Sequence, residues 1–146
     1  MVEYASSEKL GTASEAGDAS IAGKPLAFYW RAGRLFAVLL VLLEATVIVA
    51  GWYIFGHWLV EVGVFVLLTW WLLRKFQVRL ATALTAAIFV AVAAGLGLAI
   101  FEVIWYHQWW YLLDLIRRPF LIGAVGVAAS FTFYLLFRSI TIKRIR

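Results

Sequence analysis

One acidic residue, Glu44, stands inside an otherwise apolar run from 35 to 55. It lies ten positions after Arg34 and eleven before Phe55, in the middle of that run. A carboxylate at the centre of a bilayer costs about 2.5–3.5 kcal/mol on insertion scales, so we expect Glu44 to be protonated, paired or facing water. It is either a proton- or cation-binding site or a neutral acid that bonds between helices. Hydroxyl groups that could share its site lie at Thr46, Thr69, Thr85 and Ser130.

A second group of polar residues, His57, Glu61, Glu102 and His107, borders the apolar runs. His57 and Glu61 are spaced i, i+4 and would share one face of a helix. Imidazole and carboxylate ligands of this kind can bind a divalent metal such as Zn²⁺. Because no HExxH or similar ligand spacing is present, the sequence favours the alternative that these groups cap helices and bind water.

Other reactive chemistry has no sequence signal. The chain has no cysteine, which excludes disulfides, thiolate metal sites and a cysteine nucleophile. It also lacks a glycine-rich phosphate loop and a nucleophile elbow. We therefore expect neither an enzyme nor a bound cofactor.

The composition is that of a membrane protein. Of the 146 residues 65% are hydrophobic and 14% charged, and the mean hydropathy is +0.94, well outside the range of soluble domains. Four apolar runs, at 35–55, 58–73, 80–101 and 119–137, approach the length of about 20 residues that crosses a bilayer as a helix. The predicted fold is an all-α membrane protein, a four-helix transmembrane bundle of two hairpins. It occupies 25–146, after a disordered acidic and polar tail at 1–24.

The charges beside these runs predict the orientation. Basic residues form three groups: Lys24, Arg31 and Arg34; Arg74, Lys75 and Arg79; and Arg138, Lys143, Arg144 and Arg146. The positive-inside rule then places both termini in the cytoplasm and both hairpin tips outside, in a plasma membrane or a prokaryotic inner membrane. Arg117 and Arg118 oppose this orientation. Aromatic residues support it by gathering at the predicted outer boundary: Trp52, Tyr53, Trp58, Trp105, Tyr106, Trp109, Trp110 and Tyr111.

Two segments suggest how the helices pack. The aromatic stretch 103–118 fits an interfacial helix between spans three and four, or else an extension of the third span. Span three carries a small residue at every fourth position, a pattern that lets another helix approach closely. This stripe consists of Ala83, Ala87, Ala91, Gly95 and Ala99, and span four offers Gly123, Gly126 and Ser130 as its complement.

Three functions are compatible with this pattern. The sequence favours a small structural or accessory membrane subunit that acts through helix–helix packing. The alternative is a proton-coupled transporter of a small solute or cation that uses Glu44, as a dimer. The second alternative is a membrane redox or metal protein that uses His57 and His107. The expected partners are the lipid bilayer and either a second copy of the chain or a larger membrane complex; the scattered basic residues do not form a nucleic-acid surface.

Overall fold

The computed structural model describes residues 20–52 and 56–143, with side chains described up to 140. Most of the predicted tail, Tyr53, Phe55, Arg144 and Arg146 lie outside the described residues. Four helices are long and apolar enough to cross a membrane. They are α1 (Leu26–Ala50), α2 (Gly56–Phe76), α3 (Leu80–Tyr106) and α4 (Asp114–Lys143), and a short 3-10 helix, Trp109–Leu113, precedes α4.

Helix α1 is displaced toward the N-terminus relative to the predicted span. It begins nine residues before Leu35 and ends at Ala50, where Gly51 adopts a left-handed conformation (φ 73°). The Gly51 backbone N–H donates to the carbonyl of Ile48. Glu44 therefore lies six residues, about 9 Å, from the end of α1, and not at the middle of the helix.

The four helices lie at the corners of a square in the order α1, α2, α4, α3. Helices α2 and α3 are therefore diagonally opposite. Gly33 of α1 lies against Phe89 of α3, and Gly97 of α3 lies against Val41, so these two helices are parallel. Phe28 at the start of α1 meets Phe76 at the end of α2, so α1 and α2 are antiparallel. We call the end where α1 leads to α2 and α3 leads to α4 the tip end, and the opposite end the basic end.

The small-residue stripe of α3 is buried within the bundle. A Cβ atom on Gly95 would lie 2.6 Å from the Pro119 Cα atom, and one on Gly123 would lie 3.7 Å from the Ala91 Cβ atom. These contacts bring α3 and α4 close together. Gly126 instead faces the Phe65 ring of α2, so the glycines of α4 serve two different neighbours. Ala83, Ala87, Ala91 and Ala99 are all fully buried.

The segment before α1 is a small hairpin of two strands, β1 (Ser20–Ile21) and β2 (Lys24–Pro25). Its turn residues, Ala22 and Gly23, have φ angles of 50° and 79°, as a type I′ turn requires. The Tyr29 hydroxyl donates to the Ile21 carbonyl (2.6 Å), and the Thr82 hydroxyl donates to the Ala22 carbonyl (2.9 Å). The end of the predicted tail is thus fixed to α1 and α3.

The stretch 103–118 is divided among three elements and does not form one interfacial helix. Helix α3 continues to Tyr106, and the chain turns at His107, whose φ is 55°. The 3-10 helix follows, and α4 begins at Asp114, five residues before Pro119. Pro119 therefore lies inside α4, just beyond its first turn, and has no N–H group to donate to the Leu115 carbonyl.

Candidate functional site

Ionisable side chains from all four helices lie near the tip end of the bundle. We call this group the tip cluster: Glu44 of α1, His57 and Glu61 of α2, Glu102 of α3 and Arg118 of α4. The three carboxyl residues are only 1%, 7% and 2% exposed, in that order. Buried charges of this kind are stable only when they are paired or neutralised.

Glu44 and His57 are paired side chain to side chain across the first helical hairpin. The Glu44 Oε2 atom meets the imidazole Nδ1 atom. His57 lies at the first turn of α2, and its side chain is 16% exposed, whereas that of Glu44 is 1% exposed. The other carboxylate oxygen, Oε1, is buried and has no hydrogen-bond partner among the residues that the structure describes. The imidazole is thus the more accessible member of the pair.

Glu102 and Arg118 form the matching pair across the second hairpin. The Arg118 Nε atom donates to Glu102 Oε2 (3.3 Å), and Nη2 donates to Oε1, so the contact is bidentate. Such a fork-to-carboxylate contact is among the strongest protein hydrogen-bond geometries. The close approach of Gly95 to Pro119, next to Arg118 in the chain, holds the two helices at the required separation.

Glu61 links the two pairs. It makes no ion pair within the described parts of the chain. It does interact electrostatically with Glu44, Arg118 and His57. The tip cluster therefore combines three carboxyl groups with one guanidinium and one imidazole, and its members act on one another as a unit.

The hydroxyl groups predicted near Glu44 are placed elsewhere. Thr46, Thr69 and Thr85 each donate to the backbone carbonyl four residues earlier in their own helix, at 2.8–2.9 Å. This bond satisfies a threonine hydroxyl within a helix and leaves none of the three for Glu44. Ser130 is fully buried, and its hydroxyl has no partner among the described residues. The partner of Glu44 is His57.

The residues proposed as metal ligands do not converge. His57 is paired with Glu44, and Glu102 is paired with Arg118. His107 is exposed, and its Nδ1 atom lies 3.3 Å from the Trp105 carbonyl. Over residues 20–52 and 56–143, no group of three or more His, Asp or Glu side chains is arranged to hold a metal ion.

The sequence does not predict His57 as the partner of Glu44: it gives His57 as a candidate metal ligand, with helix capping as the favoured alternative. It gives Arg118 as a charge that opposes the predicted orientation and is partly offset by Asp114 and Glu102. The position of Arg118 does contain a signal for its pairing, because Glu102 and Arg118 are equally far from position 110, at the centre of the connection between α3 and α4. Residues equidistant from the tip of an antiparallel hairpin lie at the same height.

Comparison of the chain with models of protein families, with curated proteins and with solved structures finds no match.

Proposed function

We propose that this chain is a multi-pass membrane protein that exchanges a proton at the tip cluster and couples this exchange to movement of a small solute or cation. The observation that supports the proposal is the set of buried acids, Glu44, Glu61 and Glu102, shared among three helices. Ionisable residues inside a membrane-spanning bundle are costly and are functional by default. A structural role needs only one ion pair between helices, and this cluster holds two pairs and a further acid.

The charge balance of the tip cluster favours a proton or a monovalent cation as the exchanged species. With all groups ionised, three carboxylates face one guanidinium and one imidazolium, which leaves one excess negative charge. One proton neutralises this excess. The imidazole of His57, being partly exposed, is placed to pass a proton between the tip surface and the buried Glu44 carboxylate.

The proposed orientation places both termini in the cytoplasm and the tip end outside, in a plasma membrane or a prokaryotic inner membrane. The members of these basic groups that the structure describes support it, because they lie toward the ends of the helices opposite the tip end. The two arginines that oppose it are offset by acids. Arg118 is paired with Glu102 inside the bundle, and Arg117 lies 3.9 Å from Asp114.

The proposed transporter acts as a homodimer. The centre of the bundle is filled by large side chains, among them Phe65, Leu68, Leu72 and Leu98, which are fully or almost fully buried. Four helices packed in this way leave little room for a solute between them. A second copy of the chain would supply a path at the interface between the two bundles.

Proton coupling can be measured in liposomes that contain the purified full-length chain and a trapped pH indicator. A pH gradient is imposed, and sodium, potassium or tetraphenylphosphonium chloride is added as the probe cation. We expect at least one probe to dissipate the gradient in the wild type. Glu44→Gln should reduce the rate to that of empty liposomes. The matched control is Asp114→Asn, which removes the same charge at the tip end but outside the cluster.

Infrared titration of the reconstituted protein gives an independent measurement of the same proposal. A carboxyl band that titrates in the neutral pH range and disappears in Glu44→Gln supports proton exchange. Equal dissipation rates in the wild type and Glu44→Gln, together with a Glu44 carboxyl band that does not change with pH, would make the cluster structural and refute the proposal.

A structural or accessory subunit is the second candidate, and one observation favours it. The segment Trp109–Ile140 contains α4, and only 22% of its 18-residue apolar stretch is buried. The corresponding stretches of α1 and α3 are 44% buried. A partner helix could cover this surface, although lipid would satisfy it equally well. The small-residue stripe that favours this function in the sequence is already occupied within the chain by Pro119 and Gly123. An accessory role predicts a larger complex in mild detergent that is lost when Phe131 and Leu135 are changed to alanine.

A further inference from the structure

A groove of about 310 Å³ runs along the outer surface between the parallel helices α1 and α3. Except for one arginine its lining is apolar or aromatic: Trp30, Arg34, Val38, Phe89, Ala93 and Gly97 are among the residues that form it. The groove does not belong to the tip cluster. It begins in the half of α1 nearer the basic end and runs toward the middle of the bundle.

Small residues keep the groove open. Gly97 and Ala93 contribute little or no side chain to its surface. A Cβ atom on Gly97 would lie 3.1 Å from Val41, so this close approach of α3 to α1 depends on glycine. At the other end Trp30 packs edge-on against Phe89, with ring centroids 6.0 Å apart, and remains 56% exposed. The α1–α3 groove is therefore narrow and apolar, and the amphipathic Trp30 ring lies at one end of it.

Arg34 gives the groove a specific electrostatic character. Its side chain is exposed and lines the same end of the groove as Trp30. All the acidic residues in the described parts of the chain, Glu44, Glu61, Glu102 and Asp114, lie toward the tip end. Among the residues that the structure describes, no carboxylate therefore lies at the basic end to neutralise the Arg34 guanidinium, and Arg31 adds a second exposed cation one turn away.

A second groove, between α2 and α4, provides a contrast within the same molecule. Its volume is about 410 Å³, and it is also apolar, with Trp58, Val62, Ala128 and Phe133 in its lining. No basic residue contributes to it. If apolar shape alone determined lipid contact, both grooves would hold lipid equally and without preference for a headgroup.

We propose that the α1–α3 groove is a binding site for an anionic phospholipid. One acyl chain lies in the groove, and the headgroup phosphate contacts the Arg34 guanidinium, whose planar fork suits phosphate. Trp30 lies at the level of the headgroup, the depth that amphipathic rings favour. This inference requires that the helices span a membrane but does not depend on proton exchange, so the two proposals fail independently.

The site can be tested by native mass spectrometry of the full-length chain released from detergent. Phosphatidylglycerol and phosphatidylcholine with identical acyl chains are offered at equal concentration. We expect the wild type to retain phosphatidylglycerol preferentially. Arg34→Gln should reduce this retention about fivefold, since one basic residue at a membrane surface contributes about 1 kcal/mol. Arg31→Gln, which removes the same charge outside the groove, should have a smaller effect.

A second variant tests the acyl-chain part of the site. Ala93→Leu fills the groove and should reduce retention of both lipids about fifteenfold, the factor for two displaced methylene groups at about 0.8 kcal/mol each. Ala128→Leu, in the groove without a basic residue, is the matched control and should leave retention unchanged. Equal retention of the two lipids by the wild type, or equal effects of Arg34→Gln and Arg31→Gln, would overturn the proposal. Because Arg34→Gln alters no buried contact, the test holds even where Ala93→Leu does not fold.

Discussion

The two ends of the bundle differ in whether their charged side chains are buried or exposed. At the tip end three acids and one arginine are buried between the helices, and two of the acids are paired there, Glu44 with His57 and Glu102 with Arg118. At the basic end the described cations stay at the surface, and three of them, Lys24, Arg74 and Lys75, lie over aromatic rings. The Arg74 guanidinium is 5.2 Å from the Trp70 ring centroid, and the Lys75 ammonium is 5.3 Å from that of Trp71.

This difference separates exposed charges, to which we give a role in orientation, from buried charges, to which we give a role in proton exchange. A surface cation over an aromatic ring keeps part of its hydration, so it is inexpensive to hold and easily replaced. A buried carboxylate loses its water and depends on a partner. The tip end therefore depends on its charge pairs for stability, whereas in the proposed orientation the basic end marks the cytoplasmic side, as the positive-inside rule expects.

The largest effect is expected from Arg118→Met. This change leaves Glu102 buried without its cation, and breaking a buried pair typically costs about 3–5 kcal/mol. Unfolding of the detergent-solubilised chain by added dodecyl sulfate, followed by circular dichroism, measures the loss.

The double variant Glu102→Met, Arg118→Met tests whether this loss of stability comes from the unpaired Glu102 carboxylate. Replacing both partners by apolar residues of similar size is often neutral, so most of the stability should return. If the double variant is as unstable as Arg118→Met alone, the loss reflects packing around Arg118 and not an unpaired carboxylate. The contrast between the two ends would then lose its electrostatic basis.

An intermediate effect is expected from Gly95→Ala. The added methyl group would lie 2.6 Å from the backbone of Pro119, so α3 and α4 must move apart, and overpacking of this kind costs about 1–3 kcal/mol. The control is Gly63→Ala, where no atom lies within 4 Å of the added carbon. Because alanine favours helix over glycine, Gly63→Ala should be neutral or stabilising by up to about 1 kcal/mol. Equal stability of the two variants in the same unfolding assay would contradict the close α3–α4 contact.

The helices of this fold could be predicted from hydropathy, because four apolar runs separated by charges leave few alternatives. Their ends were harder to predict. Arg31 and Arg34 look like a boundary in the sequence, yet both lie inside α1, since a charge on the outer face does not end a helix. The hairpin at 20–25 was missed because its contacts with Tyr29 and Thr82 join distant parts of the chain.

The candidate site was predicted only in part. Glu44 is identifiable because it interrupts an apolar run, and Glu61 and Glu102 are identifiable as polar residues near the boundaries of such runs. The pairing could not be read from residue types alone, because it depends on the height of each residue in its hairpin. The shift of α1 toward the N-terminus brought Glu44 near the tip end and within reach of His57. Local sequence patterns do not predict this displacement of α1.

The smallest effect is expected at the basic end, from Lys75→Gln. The ammonium group lies over two rings, those of Trp71 and Phe76, at 5.3 and 5.6 Å. An exposed cation–π contact contributes about 0.5–1 kcal/mol, so the loss should be several times smaller than that of Arg118→Met. A double-mutant cycle with Phe76→Leu isolates the contact from the packing of the ring.

A coupling energy of this size at Lys75 would support the division between the two ends. A loss of about 3 kcal/mol or more would contradict it, because Lys75 would then carry as much stability as a buried ion pair. In that case the exposed cations would be structural elements in their own right. The aromatic rings beneath them would then form a second stabilising site with these cations. The tip cluster would differ from that site only in being buried.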